Sequence, residues 1–360
     1  MPGVNLGRGP NAAPVSARIP GRHLYFLFGR RRNSGNQNQP VTAIRSSEAR
    51  ISGDDELVCA LNDAIAGASE IVLGKERAIR LALACMAARG HLLIEDVPGV
   101  GKTLLAQALA RLLGLDFQRV QFTSDLLPAD ILGASVYERD KGTFRFHPGP
   151  IFAQLVLADE VNRATPKTQS ALLEAMEEYQ VTQDGETRPL PSPFFVIATQ
   201  NPVRQVGTFP LPESQLDRFL MRIEIGYPDA KAERALLKGR DRREHLADLT
   251  PCMAPEDLLR AQAVASEVHV SDALVAYVQA VVSYTRNAPH FELGLSPRAG
   301  IALLRASQAW AFMAGRAHVV PEDVQAVLPG VVSHRLRPLV DSTPAADNVA
   351  EQIVQEVDVP

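Results

Sequence analysis

The sequence predicts an α/β fold, a five-stranded parallel sheet wrapped by helices, followed by an all-helical segment. Three observations predict it. Five short apolar or β-branched runs, at 91–95, 117–121, 154–158, 194–199 and 221–226, alternate with helical stretches. A glycine-rich turn, Pro98-Gly99-Val100-Gly101-Lys102-Thr103, joins the first run to a helical pattern. Beyond Tyr227-Pro228 the alternation stops, and residues 229–342 read as helices only.

The elements follow in order. Residues 1–50 are rich in Pro, Gly, Asn, Ser and Arg, lack periodicity, and read as a disordered basic extension. A basic arm touching nucleic acid or a membrane surface is the alternative, as is a start codon placed too early. An α/β domain is expected over 51–227. It opens with a helix near 57–66, a break at Gly74 and a second helix over 75–89. Alternation on either side of Arg139-Asp140-Lys141-Gly142 reads as one hairpin, and Asp184-Gly185 is the turn signal of another. A helical domain is expected over 228–342, with helices near 229–243, 255–266, 271–286, 298–315 and 321–332, and then a tail over 343–360.

Bulk properties narrow the class. The chain has 360 residues, 46% of them hydrophobic, enough for one large or two modest globular domains. Residues 1–50 hold eight arginines, no lysine and one acid, so the remainder carries a charge of −11 against −4 overall. An acidic body argues against a broad duplex-DNA footprint. Cys59, Cys85 and Cys252 are odd in number and form no CxxC pair, which suits a reducing compartment without structural zinc. No apolar run reaches the ~18 residues of a membrane span, and Leu24–Phe28 is too short for a signal-peptide core. A cytoplasmic protein without membrane insertion is expected.

Two motifs carry chemistry. The turn Asp96-Val97-Pro98-Gly99-Val100-Gly101-Lys102-Thr103 lies between a strand and a helix, as a phosphate-binding loop requires. Its glycines let backbone N–H groups close around phosphates, and the helix adds its positive dipole end. Lys102 would neutralise the β- and γ-phosphates of ATP, and the Thr103 hydroxyl would ligate Mg²⁺. Asp96 departs from the general pattern, which has glycine there. The second motif, Leu155-Val156-Leu157-Ala158-Asp159-Glu160, is a buried-strand pattern ending in two acids, 57 residues after Lys102. Asp159 would hold Mg²⁺ through its water shell, and Glu160 would deprotonate the attacking water. Asp96, Asp159 and Asn201 all follow strand ends, so the motifs converge on one sheet edge, where ligands of such sheets sit.

With these motifs in hand, the chain resembles the AAA+ ATPases, and within them the MoxR family, over roughly residues 55–360. The stretch from Glu95 to Thr103 looks like that family's own P-loop, which tolerates Asp at the first glycine position. The stretch from Asp159 to Glu178 is similar to its longest signature. Ala198-Thr199-Gln200-Asn201-Pro202 and Leu211 to Phe219 complete the set. Arg204 and Val206 depart from it, standing where the family often has acids. The resemblance implies that Asn201 is sensor 1, with an Asn-Pro turn as the plainer reading. It implies that Arg218 is an arginine finger reaching a neighbouring subunit, against an ion pair with Asp217 or Glu213. It implies that Arg298 is sensor 2, leaning on the γ-phosphate from the helical lid, against a charged first-turn residue. The hairpin near 139–142 resembles a helix-2 insert and the one near 183–186 precedes sensor 1; either could face a pore or a partner, or be decoration.

The resemblance further implies a homo-oligomeric ring, a hexamer, that hydrolyses ATP to ADP and phosphate. It implies chaperone-like remodelling, assembly or maturation of a partner complex, and a partner with a von Willebrand factor A domain. The competing expectation is a nucleic-acid-dependent motor of the related helicase branch. The arginine-rich amino end and Arg145 favour it; the acidic body and the lack of a zinc or helix-turn-helix signature oppose it.

Overall fold

The computed structural model describes residues 42–201, 208–238, 242–289, 291–338 and 346–359. Most of the expected disordered extension lies outside these residues, as do Arg204 and Val206. Helix α1 runs Thr42–Ile71, so regular structure starts earlier than the expected boundary at 50. After Pro40 the chain has no proline until Pro98, so no proline interrupts α1. Leu57, Leu61, Ala64, Ile65, Ala68 and Ile71 of α1 recur at helical spacing and are all buried.

The α/β part then follows. It comprises α2 (Glu76–Ala87), β1 (Leu92–Glu95), α3 (Lys102–Leu112), β2 (Phe117–Gln121), α4 (Pro128–Leu132), β3 (Gly133–Glu138) and β4 (Thr143–Pro148). Next come β5 (Leu155–Asp159), α5 (Pro166–Glu178), β6 (Gln180–Gln183), β7 (Glu186–Pro189), β8 (Phe195–Gln200), α6 (Glu213–Leu216) and β9 (Met221–Ile223). The main sheet has the order β2-β5-β8-β1-β9 with every pair parallel. β5 and β8 are central and buried along their whole length, which explains their unbroken apolar runs. Alternation still assigns faces. Leu92, Ile94, Leu155, Leu157, Phe195 and Ile197 join the core shared with α1–α3 and the helical segment. Leu93, Val156, Ala158, Val196 and Ala198 join a second core with Leu172, Leu173 and Met176 of α5.

Both expected hairpins are present. β3 and β4 pair antiparallel from Gly133↔Pro148 to Glu138↔Thr143. β6 and β7 pair across Asp184 and Gly185, whose φ angles of 55° and 79° are those a two-residue hairpin turn demands.

The remaining elements are α7 (Ala230–Lys238), α8 (Arg242–Asp248), α9 (Pro255–Glu267), α10 (Asp272–Asn287), β10 (Phe291–Leu293), α11 (Pro297–Met313), α12 (Pro321–Val332), β11 (Arg337–Pro338) and α13 (Ala346–Glu356). Within the helix expected over 229–243, α7 and α8 flank residues 239–241, which lie outside the described residues. Two expectations change here. The segment is not helices only, because β10 pairs antiparallel with β11; strands of two and three residues are too short to leave a period in the sequence. The expected tail at 343–360 contains α13, whose Val349, Ala350 and Ile353 are buried in the main core, as is Val357 just beyond it. Among the described residues, no helix is long and apolar enough to cross a membrane.

Helix α12 packs against β9, and the chain just beyond it grips the approach to that strand. Arg335, only 9% exposed, donates to the carbonyls of Asp217, Phe219, Leu220 and Val331 and to Asp217 Oδ1. A buried guanidinium is tolerated because its donors find acceptors. The helical segment is thereby fastened to the stretch that carries Arg218.

Candidate active site

The parallel sheet sends every strand to the same edge, and the loop after β1 sits there. Gly99 and Gly101 have φ angles of +88° and +98°, and a Cβ built on either would meet nothing within 4 Å. Both need glycine for conformation, and both face open space. Gly101 caps α3 from the left-handed region. The amides of Gly99, Val100 and Gly101 donate to no described backbone acceptor, so donors point into the loop at a helix N-terminus. Thr103 follows on the first turn of α3.

Asp96 explains its own departure from the glycine pattern. Its Oδ1 accepts from Val97 N at 2.7 Å, and its Oδ2 accepts from Ile225 N at 2.7 Å and Gly226 N at 2.6 Å. The carboxylate ties the start of the loop to the chain leaving β9. Beside Ile225 lies a cavity of about 220 Å³, lined in part by Gly74, Lys75, Ile223, Ile225 and Gly330.

Lys102 is buried, and its Nζ donates to Asp96 O at 2.6 Å and Asn201 Oδ1 at 3.4 Å. Burial pulls this ammonium below the ordinary lysine value. The charges of Asp96, Asp159, Glu160 and Glu95 oppose that shift. Asn201 Nδ2 donates to Glu160 Oε1 at 3.0 Å, and Asn162 Nδ2 holds the Asn201 carbonyl at 3.1 Å. Glu160 itself lies in the left-handed region at φ +57°, a conformation that costs a non-glycine residue energy and recurs at functional positions. Its amide donates to Thr199 Oγ1 at 2.8 Å, and that hydroxyl donates to Asp159 Oδ1 at 2.6 Å. Lys102, Asp159, Glu160 and Asn201 are therefore brought together by one network, next to the loop.

Two members of the network were not singled out in the sequence. Arg119 Nη2 donates to Asp159 Oδ2 at 2.6 Å, and Gln121 Nε2 donates to Glu160 Oε2 at 3.0 Å. Both lie on β2. Only the strand order, which sets Gln121 opposite Asp159, reveals them.

Arg218 and Arg298 lie elsewhere. Arg218 precedes β9 and Glu177 ends α5, so both stand at the sheet's opposite edge, where His91 leads into β1. Arg218 pairs with Glu177 at 2.9 Å, and Arg298 donates to the same carboxylate at 2.5 Å. Arg298, expected to lean on the γ-phosphate from the lid, has its guanidinium on Glu177 here. The first turn of α11 packs on the far edge, where Ser296 donates to Asp217 and Arg298 meets Glu177. Arg218 takes Glu177 as its acid and not Asp217, which is held by Arg335. A cavity of about 200 Å³ there is lined by five arginines (Arg89, Arg218, Arg298, Arg305 and Arg335) against two acids, Glu177 and Asp217.

Comparison with known proteins agrees with this geometry. Residues 91–221 match the family model "ATPase family associated with various cellular activities (AAA)", and residues 283–357 match that of the AAA lid domain. An uncharacterized Bacillus subtilis protein, YeaC, is 46% identical over 297 residues, 82% of this chain and 92% of its own. Chaperone MoxR1 of Mycobacterium tuberculosis is 41% identical over 308 residues, 82% of this chain and 79% of its own. A crystal structure of a candidate ATPase from Cytophaga hutchinsonii superposes with a TM-score of 0.80 at 35% identity, covering 89% of this chain and 99% of that one. An AAA domain with a five-stranded parallel sheet, a helical AAA lid and kinship to MoxR1 across most of both chains place this protein in the MoxR family of AAA+ ATPases.

Proposed function

We propose that the chain hydrolyses ATP and uses the cycle for chaperone-like remodelling, assembly or maturation of a partner protein complex. The single observation that carries the catalytic part is the network joining Lys102, Asn201 and Glu160 at the mouth of the glycine loop. The amides of residues 99–101 and the α3 N-terminus would receive the phosphates, and Lys102 would neutralise their oxygens. The cavity beside Ile225 suits the base. Glu160 would take a proton from the attacking water as its oxygen bonds to the γ-phosphorus in line with the departing ADP oxygen. Asn201 would hold that water or the γ-phosphate. Thr103 and Asp159 would hold Mg²⁺, which supplies charge neutralisation on the β- and γ-phosphates.

Arg218 would complete the site of a neighbouring protomer, because it stands at the edge away from its own loop. We assign Arg298 to the same intersubunit role rather than to its own phosphate. This requires a closed ring, for which we propose a hexamer in the cytoplasm. The chaperone reading draws on the name of the M. tuberculosis relative. The partner proposed from family resemblance carries a von Willebrand factor A domain. The β3–β4 hairpin, whose Tyr137 and Phe144 are 51% and 73% exposed, is the surface we assign to contact with it.

The test is steady-state ATP turnover of the wild type against Glu160→Gln. Loss of a general base lowers turnover by roughly 10²–10⁴-fold, with Mg·ATP still bound. Equal turnover in the two proteins would remove Glu160 from the chemistry.

A further inference from the structure

One carboxylate holds both far-edge arginines. Glu177 Oε1 accepts from Arg298 Nη2 at 2.5 Å, and Glu177 Oε2 lies 2.9 Å from Arg218 Nη2. Three separate elements meet at this point: the last turn of α5, the turn that follows α6, and the first turn of the lid helix α11. Helix preference does not account for the placement. An acid in the last turn of a helix and a base in the first turn each oppose their own helix's dipole. Glu177 and Arg298 both stand at the disfavoured end, and only their contact across the two elements offsets this.

The surroundings give Glu177 a specific task. Asp217, adjacent to Arg218 in sequence, is occupied by Arg335 Nε at 2.6 Å and by Ser296 Oγ at 3.2 Å. Arg335 also donates to the carbonyls of Asp217, Phe219 and Leu220, so the backbone on both sides of Arg218 is fixed from the lid. What remains is the Arg218 side chain, and Glu177 anchors that. Without a shared counter-ion, two guanidinium groups at this spacing repel. Each guanidinium has five N–H donors. One contact to Glu177 therefore leaves donors on both arginines without a partner among the described residues. The Glu177 carboxyl is held below the usual carboxylate range, first by the Arg298 hydrogen bond, with the Arg218 charge adding to it.

We infer that Glu177 is a positioning residue that presents Arg218 and Arg298 as one paired anion-binding unit to the triphosphate of the neighbouring protomer. Because Arg298 rides on the lid and Arg218 on the α/β domain, the same carboxylate links lid position to the geometry of that unit. This inference rests on the reading that Arg218 acts across a subunit interface.

The experiment uses the full chain with Mg·ATP and compares wild type, Glu177→Gln, Arg218→Ala and the double variant, with oligomer mass recorded for each. Misplacing a catalytic group by about 1 Å lowers rate by roughly 10²-fold, so Glu177→Gln is expected to lower kcat by about ten- to a hundredfold. KM for ATP and oligomer mass are expected to stay at wild-type values, because each glycine loop is left intact and an arginine finger acts on the charge that develops in the transition state. Adding Glu177→Gln to Arg218→Ala is expected to cost less than it does in the wild-type background, since only Arg298 is left to position. Wild-type kcat in Glu177→Gln alongside an impaired Arg218→Ala overturns the positioning role and leaves the interface reading standing. Equal losses from Glu177→Gln in both backgrounds assign it a merely structural role and overturn the inference as well. Wild-type kcat in Arg218→Ala defeats the interface reading, and the positioning role with it. Should Glu177→Gln fail to fold, Glu177→Asp keeps the charge on a shorter arm. It is expected to lower kcat less while leaving KM unchanged, and a raised KM with lost assembly would count as refutation.

Discussion

The two edges of the sheet are built on opposite plans. At the carboxyl edge, the functional groups follow strand ends directly: Asp96 to Thr103 after β1, Asp159 and Glu160 closing β5, Asn201 after β8. At the amino edge, Glu177, Arg218, Arg298 and Arg335 come from four distant stretches, and the last two reach the first two through packing of the lid on the α/β domain. The first edge offers amide donors, one buried lysine and the carboxylates of Asp159 and Glu160. The second offers surplus guanidinium groups. Within one chain a strand's length lies between them. On our reading a ring brings them to one phosphate, by setting the amino edge of one protomer against the carboxyl edge of the next.

The largest expected effect tests that complementarity. Arg218→Ala should reduce turnover by roughly 10³–10⁵-fold, the range an arginine finger supplies, with ATP binding kept. Mixing Arg218→Ala protomers with Glu160→Gln protomers, each inactive alone, should restore turnover, because some interfaces then pair an intact loop with an intact finger. Absence of rescue in mixed rings of normal mass would mean that both groups serve the same protomer, and the contrast between the edges would lose its functional meaning.

Sequence reasoning reached the two edges unequally for a physical reason. The carboxyl edge was legible because phosphate binding and water activation place fixed residue types at short, fixed offsets from strands. Glu160 and Lys102 could be named before any fold was known. Gln121 and Arg119 could not, because their contact to the acids depends on β2 lying beside β5. At the amino edge Arg218 and Arg298 were named through family resemblance alone. Their shared counter-ion was not, since no spacing links position 177 to 218 or 298. The lid suffered similarly. Strands β10 and β11 are too short to show a period, whereas α13 does show apolar residues at 349 and 353, with 357 just beyond it, that mark it as a packed helix.

A smaller effect distinguishes the edges by acid sensitivity. His91 stands at the amino edge with Nδ1 accepting from Val196 N at 3.0 Å, which leaves its Nε2 proton to donate to Met176 O at 3.1 Å. Burial lowers its pKa from 6.5 to about 4. The unfolded chain therefore binds a proton that the folded chain refuses. Stability is full above the unfolded value and declines as pH falls from 6.5 through about 4, by roughly 3 kcal/mol. Chemical denaturation at pH 7 and at pH 4.5 should show this loss, and His91→Gln should flatten much of the slope. An unchanged slope in that variant would place the acid-sensitive group elsewhere.

The smallest effect bears on how the carboxyl edge is anchored. Asp96→Gly restores the general glycine pattern of phosphate-binding loops, so motif logic alone expects it to be neutral or favourable. The structure argues the reverse. The Asp96 carboxylate accepts three backbone hydrogen bonds, two of them from Ile225 and Gly226 beyond β9. Glycine would strand those donors, and Ile225 is buried. A buried donor left without its acceptor costs about 1–3 kcal/mol. Glycine would also lower stability by adding backbone freedom to the unfolded chain. Asp96→Gly should therefore unfold at lower temperature and bind Mg·ATP more weakly, whereas Asp96→Asn keeps one acceptor oxygen and should fall between the two. A variant as stable as wild type would show that the loop is held by its phosphate contacts and not by β9. The carboxyl edge would then be as self-contained as its motif suggests.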